Sequence, residues 1–287
     1  MIIWLASYPK SGNTWIRSFL YTLLYSNNKE PDLDKIGVID QYPLKRNFTK
    51  LTRNFNNFKE ISNNWITSQE ILNSDKKIKF LKTHHIFCEY FGNKFTNLNN
   101  TLGVIHIVRD PRNVITSIKN HYSKDTYEKA YDFITDNLHC IDTENISHSN
   151  INKKDILDTL ISSWANHYNS WKKFPKNYLL VKYEDLIQNP YDSFKKITNY
   201  LKKLININFS EKEINKAIES NSFLNLKKIE ERDGFKEKSI NLNKNELNNF
   251  FYLGPKNKWQ NLLPMAIKDK LEEAFFKEMK ELNYINE

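Results

Sequence analysis

Apolar residues along this chain fall into a few short runs separated by longer stretches with helical spacing. Four runs read as core strands, Ile2–Ala6, Ile78–Leu81, Val104–Val108 and Tyr178–Val181, most of them bounded by polar or turn residues. Between them, Trp15–Leu24 carries Trp15, Ile16, Phe19, Leu20, Leu23 and Leu24 at helical intervals, and Leu157–Phe174 and Tyr191–Leu204 show the same spacing. A last helix is predicted over Met265–Leu282, with Ile267, Leu271, Phe275 and Met279 along one face and Pro264 near its start. Strands alternating with helices predict an α/β fold whose central parallel sheet is covered on both faces. Ligands in such folds sit beyond the carboxyl ends of the strands. The residues that follow each apolar run are therefore the place to look for chemistry.

Composition narrows the field. A chain of 287 residues holds one large domain or two small ones, and a single domain over 1–287 is the expectation. The formal net charge of +9 suits an anionic ligand, a nucleic acid or a membrane surface. The lysines are scattered, with no clustered basic run and no zinc pattern, which argues against a nucleic-acid-binding protein. Cys88 and Cys140 lie far apart and fit no metal spacing, so neither a disulfide framework nor a bound metal is expected. The opening apolar run is too short for a secretion signal or a membrane span, and a cytoplasmic protein with no membrane insertion is the expectation. Oligomeric state is not readable.

The first run leads into Ser7-Tyr8-Pro9-Lys10-Ser11-Gly12-Asn13-Thr14-Trp15, where the helical spacing begins. A strand, a turn of small residues and a helix start make an anion site, because free backbone N–H groups and the positive end of the helix dipole converge there. Gly12 permits close backbone approach, Lys10 adds a full charge, and Ser11 and Thr14 add hydroxyl donors. This is not the nucleoside triphosphate loop. It has one Gly, Lys precedes it, and the Lys-Ser/Thr pair at the helix start is missing, which weighs against a nucleotide-dependent kinase.

The second run continues as Lys82-Thr83-His84-His85. A histidine at a strand's carboxyl end lies on the ligand rim, and an ordinary pKa of about 6.5 suits a general base. Lys82, two residues earlier, points to the same side and can meet developing negative charge. His85 is the rival base and faces the other way. After the third run, Asp110 is placed to cap a helix with Pro111 at its first position. Arg109 then stands at the strand tip, and Ser117 lies two turns into the helix. The fourth run ends in Lys182-Tyr183-Glu184-Asp185, whose adjacent carboxyl groups point apart and read as a helix cap or ion pair.

In this order the segments resemble the cytosolic-type sulfotransferases. Tyr8–Trp15 matches the family's Tyr-Pro-Lys-Ser-Gly-Thr-Thr-Trp at every position but Asn13. Lys82–His84 matches its Lys-Thr-His, Arg109 to Ser117 its Arg and Ser eight apart, and Tyr183–Leu186 its Tyr-Glu-Asp-Leu. The resemblance implies a P-loop-NTPase-like three-layer fold and a sulfuryl donor, 3′-phosphoadenosine-5′-phosphosulfate, as co-substrate without a metal. It implies that Lys10, Ser11, Gly12, Asn13 and Thr14 hold the 5′-phosphosulfate and that Trp15 packs near the adenine. Arg109 and Ser117 then bind the 3′-phosphate, Tyr183 and Gly254 touch the nucleotide, and His84 is the base, with Lys10 and Lys82 stabilising charge. The acceptor is a small molecule or carbohydrate bearing a hydroxyl or amine. The family's closing Arg-Lys-Gly-x-x-Gly-Asp-Trp survives here only as Gly254 and Trp259, within Tyr252–Trp259. Lys256 and Lys258 are the candidates to supply the missing charge. Residues 236–260 read as a lid, and Asn27–Asn73 and Tyr122–Asn150 as builders of the acceptor pocket.

Overall fold

The apolar runs become a parallel sheet because packed side chains cover both of its faces. The structure is a computed structural model that describes residues 1–141, 155–241 and 246–285. Strands β1 (Ile2–Ser7), β2 (Asp40–Gln41), β3 (Lys79–Thr83), β4 (Thr101–Val108) and β5 (Tyr178–Lys182) are hydrogen-bonded in the order β2-β3-β1-β4-β5, all parallel. Every residue of β1 is buried, which is why it reads as an unbroken apolar run. Its side chains alternate between two layers. Ile3 and Leu5 pack on Ile16, Phe19 and Leu20 of helix α1 (Asn13–Leu24) and on Phe194, Ile197 and Leu201. Ile2, Trp4 and Ala6 pack on Tyr42, Trp65, Phe95 and Trp171.

Register aligns the strand ends. Ala6 lies beside Thr83 on one side and His106 on the other, so the turns after β1, β3 and β4 emerge at one edge. Asp110 accepts a hydrogen bond from the Arg112 amide and Pro111 opens helix α2 (Pro111–His121), which ends near the same edge.

Three expectations need correction. The sheet has a fifth strand, β2, whose two residues form no apolar run. The helix expected over Leu157–Phe174 starts only at Trp164: Thr159–Leu160 pairs antiparallel with Cys140–Ile141, Ser162 adopts a positive φ of 59°, and the Ser163 side chain caps the helix by accepting from the Asn166 amide. The last helix is broken at Phe275 into Met265–Ala274 and Phe276–Glu281, yet Ile267, Leu271, Phe275 and Met279 still face one core. In the lid segment, Ser239–Asn241 and Glu246–Asn248 form a hairpin. Its residues 242–245, like residues 142–150 of the expected acceptor segment, lie outside the described residues.

Candidate active site

A cavity of about 540 Å³ opens where the strands end. The turn after β1 forms its floor. Lys10 and Gly12 both take positive φ, 66° and 104°, which bends the backbone back toward α1. Gly12 sits at the N-cap and has no side chain to close the first helical turn, so the free N–H groups there are left for a ligand. A Cβ on Gly12 would stand 2.5 Å from the Tyr183 ring. Asn13, the one departure from the family loop, donates to the Leu5 carbonyl at 2.9 Å and to Ser7 Oγ at 3.1 Å, which ties the turn to β1.

The other expected residues gather around this floor. Lys10, Lys82, His84, Arg109, Ser117 and Tyr183 line the cavity, as do Gly12, Asn13, Thr14, Trp15 and Gly254. Ser11 does not line it: the residue is fully buried, and its Oγ has no partner. Arg109 donates to the Lys10 carbonyl at 3.1 Å and stacks 4.1 Å over the Tyr183 ring, and its Nε is buried without a partner. Trp15 meets Tyr183 edge-on. Ser117 Oγ accepts from Asn257 Nδ2 at 3.1 Å. Lys256 and Lys258 are exposed and do not line the cavity, whereas Asn257 between them is buried and does. Glu184 accepts from the Asp110 amide and from the Tyr284 hydroxyl, bracing the turn after β4 in place of the helix cap or ion pair expected of it.

Electrostatics follows from burial. His84 Nδ1 lies 2.6 Å from the Ser7 carbonyl, and a carbonyl can only accept, so Nδ1 carries the proton and Nε2 keeps the lone pair. Burial, with Lys82 nearby, lowers the His84 pKa to about 3, and the ring is neutral at physiological pH. Burial also lowers the Lys10 ammonium to about 7, with Lys82 and Arg109 adding repulsion. His85, the rival base, is fully buried between Phe58, Phe95 and Trp65, away from the cavity. These buried cations, with the unpartnered Nε of Arg109, fit an anionic nucleotide.

Cavity residues that escaped the sequence reading include three close to its charged groups. His121 follows Asn113 and Ser117 at four-residue intervals on one face of α2, a spacing that was available. Arg17 follows Thr14 by three on α1, and Glu237 reaches in from the lid segment. Residues of both segments expected to build the acceptor pocket line the cavity. Leu44, Tyr122 and Ile141 form apolar wall, while Asp40 and Arg46 meet at 2.6 Å beside Asp155.

Comparison with known proteins bears on what this cavity handles. The family model described as "Sulfotransferase domain" matches residues 2–283. Sulfotransferase 1 family member D1 of Mus musculus is 24% identical over 97% of this chain and 83% of its own length. Amine sulfotransferase of Oryctolagus cuniculus is 23% identical over 97% and 81%. Among solved structures, mouse sulfotransferase SULT7A1 complexed with PAP superposes with a TM-score of 0.58 at 20% identity, covering 97% of this chain and 84% of that one. Retinol dehydratase in a complex with retinol and PAP gives 0.60 at 14% identity, covering 97% and 81%.

Proposed function

The chain belongs to the sulfotransferase domain family, cytosolic type, and is a sulfuryl transferase; from that premise we propose that it works as a single domain with His84 as general base. The donor in this reading is 3′-phosphoadenosine-5′-phosphosulfate, which supplies an activated sulfuryl group when bound. The acceptor is a small molecule or carbohydrate with a free hydroxyl or amine. One observation carries the reading: a neutral histidine and the cations Lys10, Lys82 and Arg109, brought from three strand ends, line one cavity with Ser117.

The chain's residues divide the work. His84 Nε2 takes the acceptor proton, and the Nδ1–H bond to Ser7 fixes the ring for it. Asn13 holds Ser7 Oγ in turn, so the turn that binds the donor also positions the base. Lys10 and Lys82 offset the negative charge that grows as the sulfur–oxygen bond to the leaving phosphate breaks. Arg109 and Ser117 grip the 3′-phosphate, and Gly12, Trp15 and Tyr183, packed against one another at the rim of the cavity, touch the base of the nucleotide. Positioning and fixed positive charge supply most of the rate.

Calorimetric titration with adenosine-3′,5′-bisphosphate, ATP and an oligonucleotide tests the donor. The expected outcome is binding of the bisphosphate at least about tenfold tighter than ATP, since ATP lacks the 3′-phosphate that Arg109 and Ser117 would hold. Preference for ATP or the oligonucleotide would overturn the reading. A screen of acceptor classes with sulfur-labelled donor then identifies the acceptor.

A further inference from the structure

Glu237 is the one carboxylate that reaches the cationic floor of the cavity, among the described residues that line it. A turn closed by the Lys238 amide on the Phe235 carbonyl carries it there. Its Oε1 lies 2.5 Å from Arg17 Nη1, and its Oε2 lies 3.5 Å from Lys82 Nζ and accepts from Thr14 Oγ1 at 3.4 Å. The flanking lysines turn elsewhere: Lys236 pairs with Asp34 and Lys238 with Glu230. Arg17 is only 4% exposed, and besides this carboxylate it has a 3.5 Å contact with the Ile36 carbonyl and a buried, unpartnered Nε. Burial alone would raise the Glu237 carboxyl, but Lys82 and Arg17 hold it well below the usual carboxylate range.

Two carboxylate oxygens on an arginine, a lysine and a threonine hydroxyl repeat the contacts a tetrahedral oxyanion makes. Two of those three donors belong to the binding floor already described: Thr14 to the turn, and Lys82 to the segment that ends in His84. A buried cluster of cations needs a counter-charge whenever donor is absent. We propose that Glu237 is an internal stand-in for the anionic end of the donor, and that Arg17 is a further donor-positioning residue which the two anions compete for. This rests on the donor reading above. Binding exchanges one anion for the other: the carboxylate leaves Arg17, Lys82 and Thr14, its segment shifts, and the donor takes up those contacts. The free enzyme thereby keeps its cations neutralised and admits only an anion able to displace a carboxylate.

The test is calorimetric titration of intact donor, without acceptor, into the wild type, Glu237→Gln and Glu237→Gln/Arg17→Met, with melting temperatures recorded alongside. If the carboxylate holds the site in about nine molecules of ten, Glu237→Gln binds donor about tenfold tighter than the wild type. It also melts lower in the absence of donor. Adding Arg17→Met to it then weakens binding about tenfold again. A purely structural ion pair predicts the lower melting temperature with unchanged affinity, and that result, or weaker binding by Glu237→Gln, overturns the proposal while leaving the donor reading intact. Failure of the wild type to bind donor or bisphosphate overturns the donor reading and this proposal together. Should Glu237→Gln not fold, Glu237→Asp, one methylene shorter and unable to span Arg17 and Lys82, must tighten binding in the same direction.

Discussion

The floor of the cavity and its cover are built by different means. On the floor, each charged or catalytic group stands at or close to a strand end: Lys10 in the turn after β1, Lys82 within β3, His84 directly after it, Arg109 directly after β4. Ladder hydrogen bonds and two buried layers fix those positions. The cover, from Phe223 to Asn257, has a small core of its own in which Leu226, Phe235 and Phe251 meet Tyr21, Leu33 and Ile36. It is tied together by Glu230, which accepts from the Phe250 and Phe251 amides, and tied to the floor by Glu237 and by Lys10 lying 3.8 Å over the Phe250 ring. Because that core takes no residue from the sheet among the described residues, the cover can move without disturbing the sheet. On the proposed reading, the difference assigns chemistry to the floor and access to the cover.

The sharpest way to break that division is His84→Ala. Removing a positioned base lowers transfer by about 10²–10⁴-fold, and bisphosphate affinity stays within about threefold because the donor contacts lie elsewhere. Stopped-assay rates and calorimetry on the same preparation separate the two. Unchanged turnover would take the chemistry off the floor. Next in size is Arg109→Met, which removes charged contacts to phosphate worth about 1.5–3 kcal/mol, so bisphosphate binding weakens roughly 10- to 150-fold.

A pH series probes the floor's cations without mutation. Burial first, then Lys82 and Arg109, puts the Lys10 ammonium at about 7 in the free protein. A bound anion stabilises its charged form and raises that value. From about pH 6, where a phosphate monoester loses its second proton, up to pH 7 the ammonium is charged in both states and affinity is flat. Above it, binding must take up a proton, and affinity falls about tenfold per pH unit until the bound-state value is reached. His84, at about 3, and His121, held well below the usual histidine value by burial, stay neutral throughout this window and add no slope. Titration in buffers of different ionisation enthalpy should register the proton taken up at pH 8.

How much of this could be read from the sequence follows the same division. Lys10, Lys82, His84 and Arg109 were legible because a buried parallel strand writes itself as an apolar run and ligands gather where such runs stop. Arg17 and His121 were within reach, since helical spacing from Thr14 and Ser117 puts them on the cavity side. Glu237 was not. Its partner lies 220 positions away, and no local pattern encodes a contact across that distance. β2 escaped because two residues carry no period, and the false start of the Trp164 helix at Leu157 shows apolar spacing continuing through a strand and a positive-φ serine.

The smallest effect is expected in the cover, and it decides what the cover contributes. The family's arginine–lysine clamp is absent, and charge from Lys256 or Lys258 was the first substitute to consider. Both side chains are exposed, and neither lines the cavity. Asn257 between them is buried and donates to Ser117 Oγ at 3.1 Å and to the Asn113 carbonyl at 2.8 Å. It thus holds the serine hydroxyl, which itself donates to the Asn113 carbonyl at 3.5 Å, through neutral hydrogen bonds worth about 0.5–1.5 kcal/mol each. Asn257→Ala should weaken bisphosphate binding about two- to tenfold, with the dependence on salt concentration unchanged, because no charge is lost. Lys256→Ala and Lys258→Ala should leave affinity within about twofold. If instead the lysine variants weaken binding and flatten its salt dependence while Asn257→Ala binds normally, the cover supplies charge to the nucleotide and the division between a charged floor and a positioning cover does not hold.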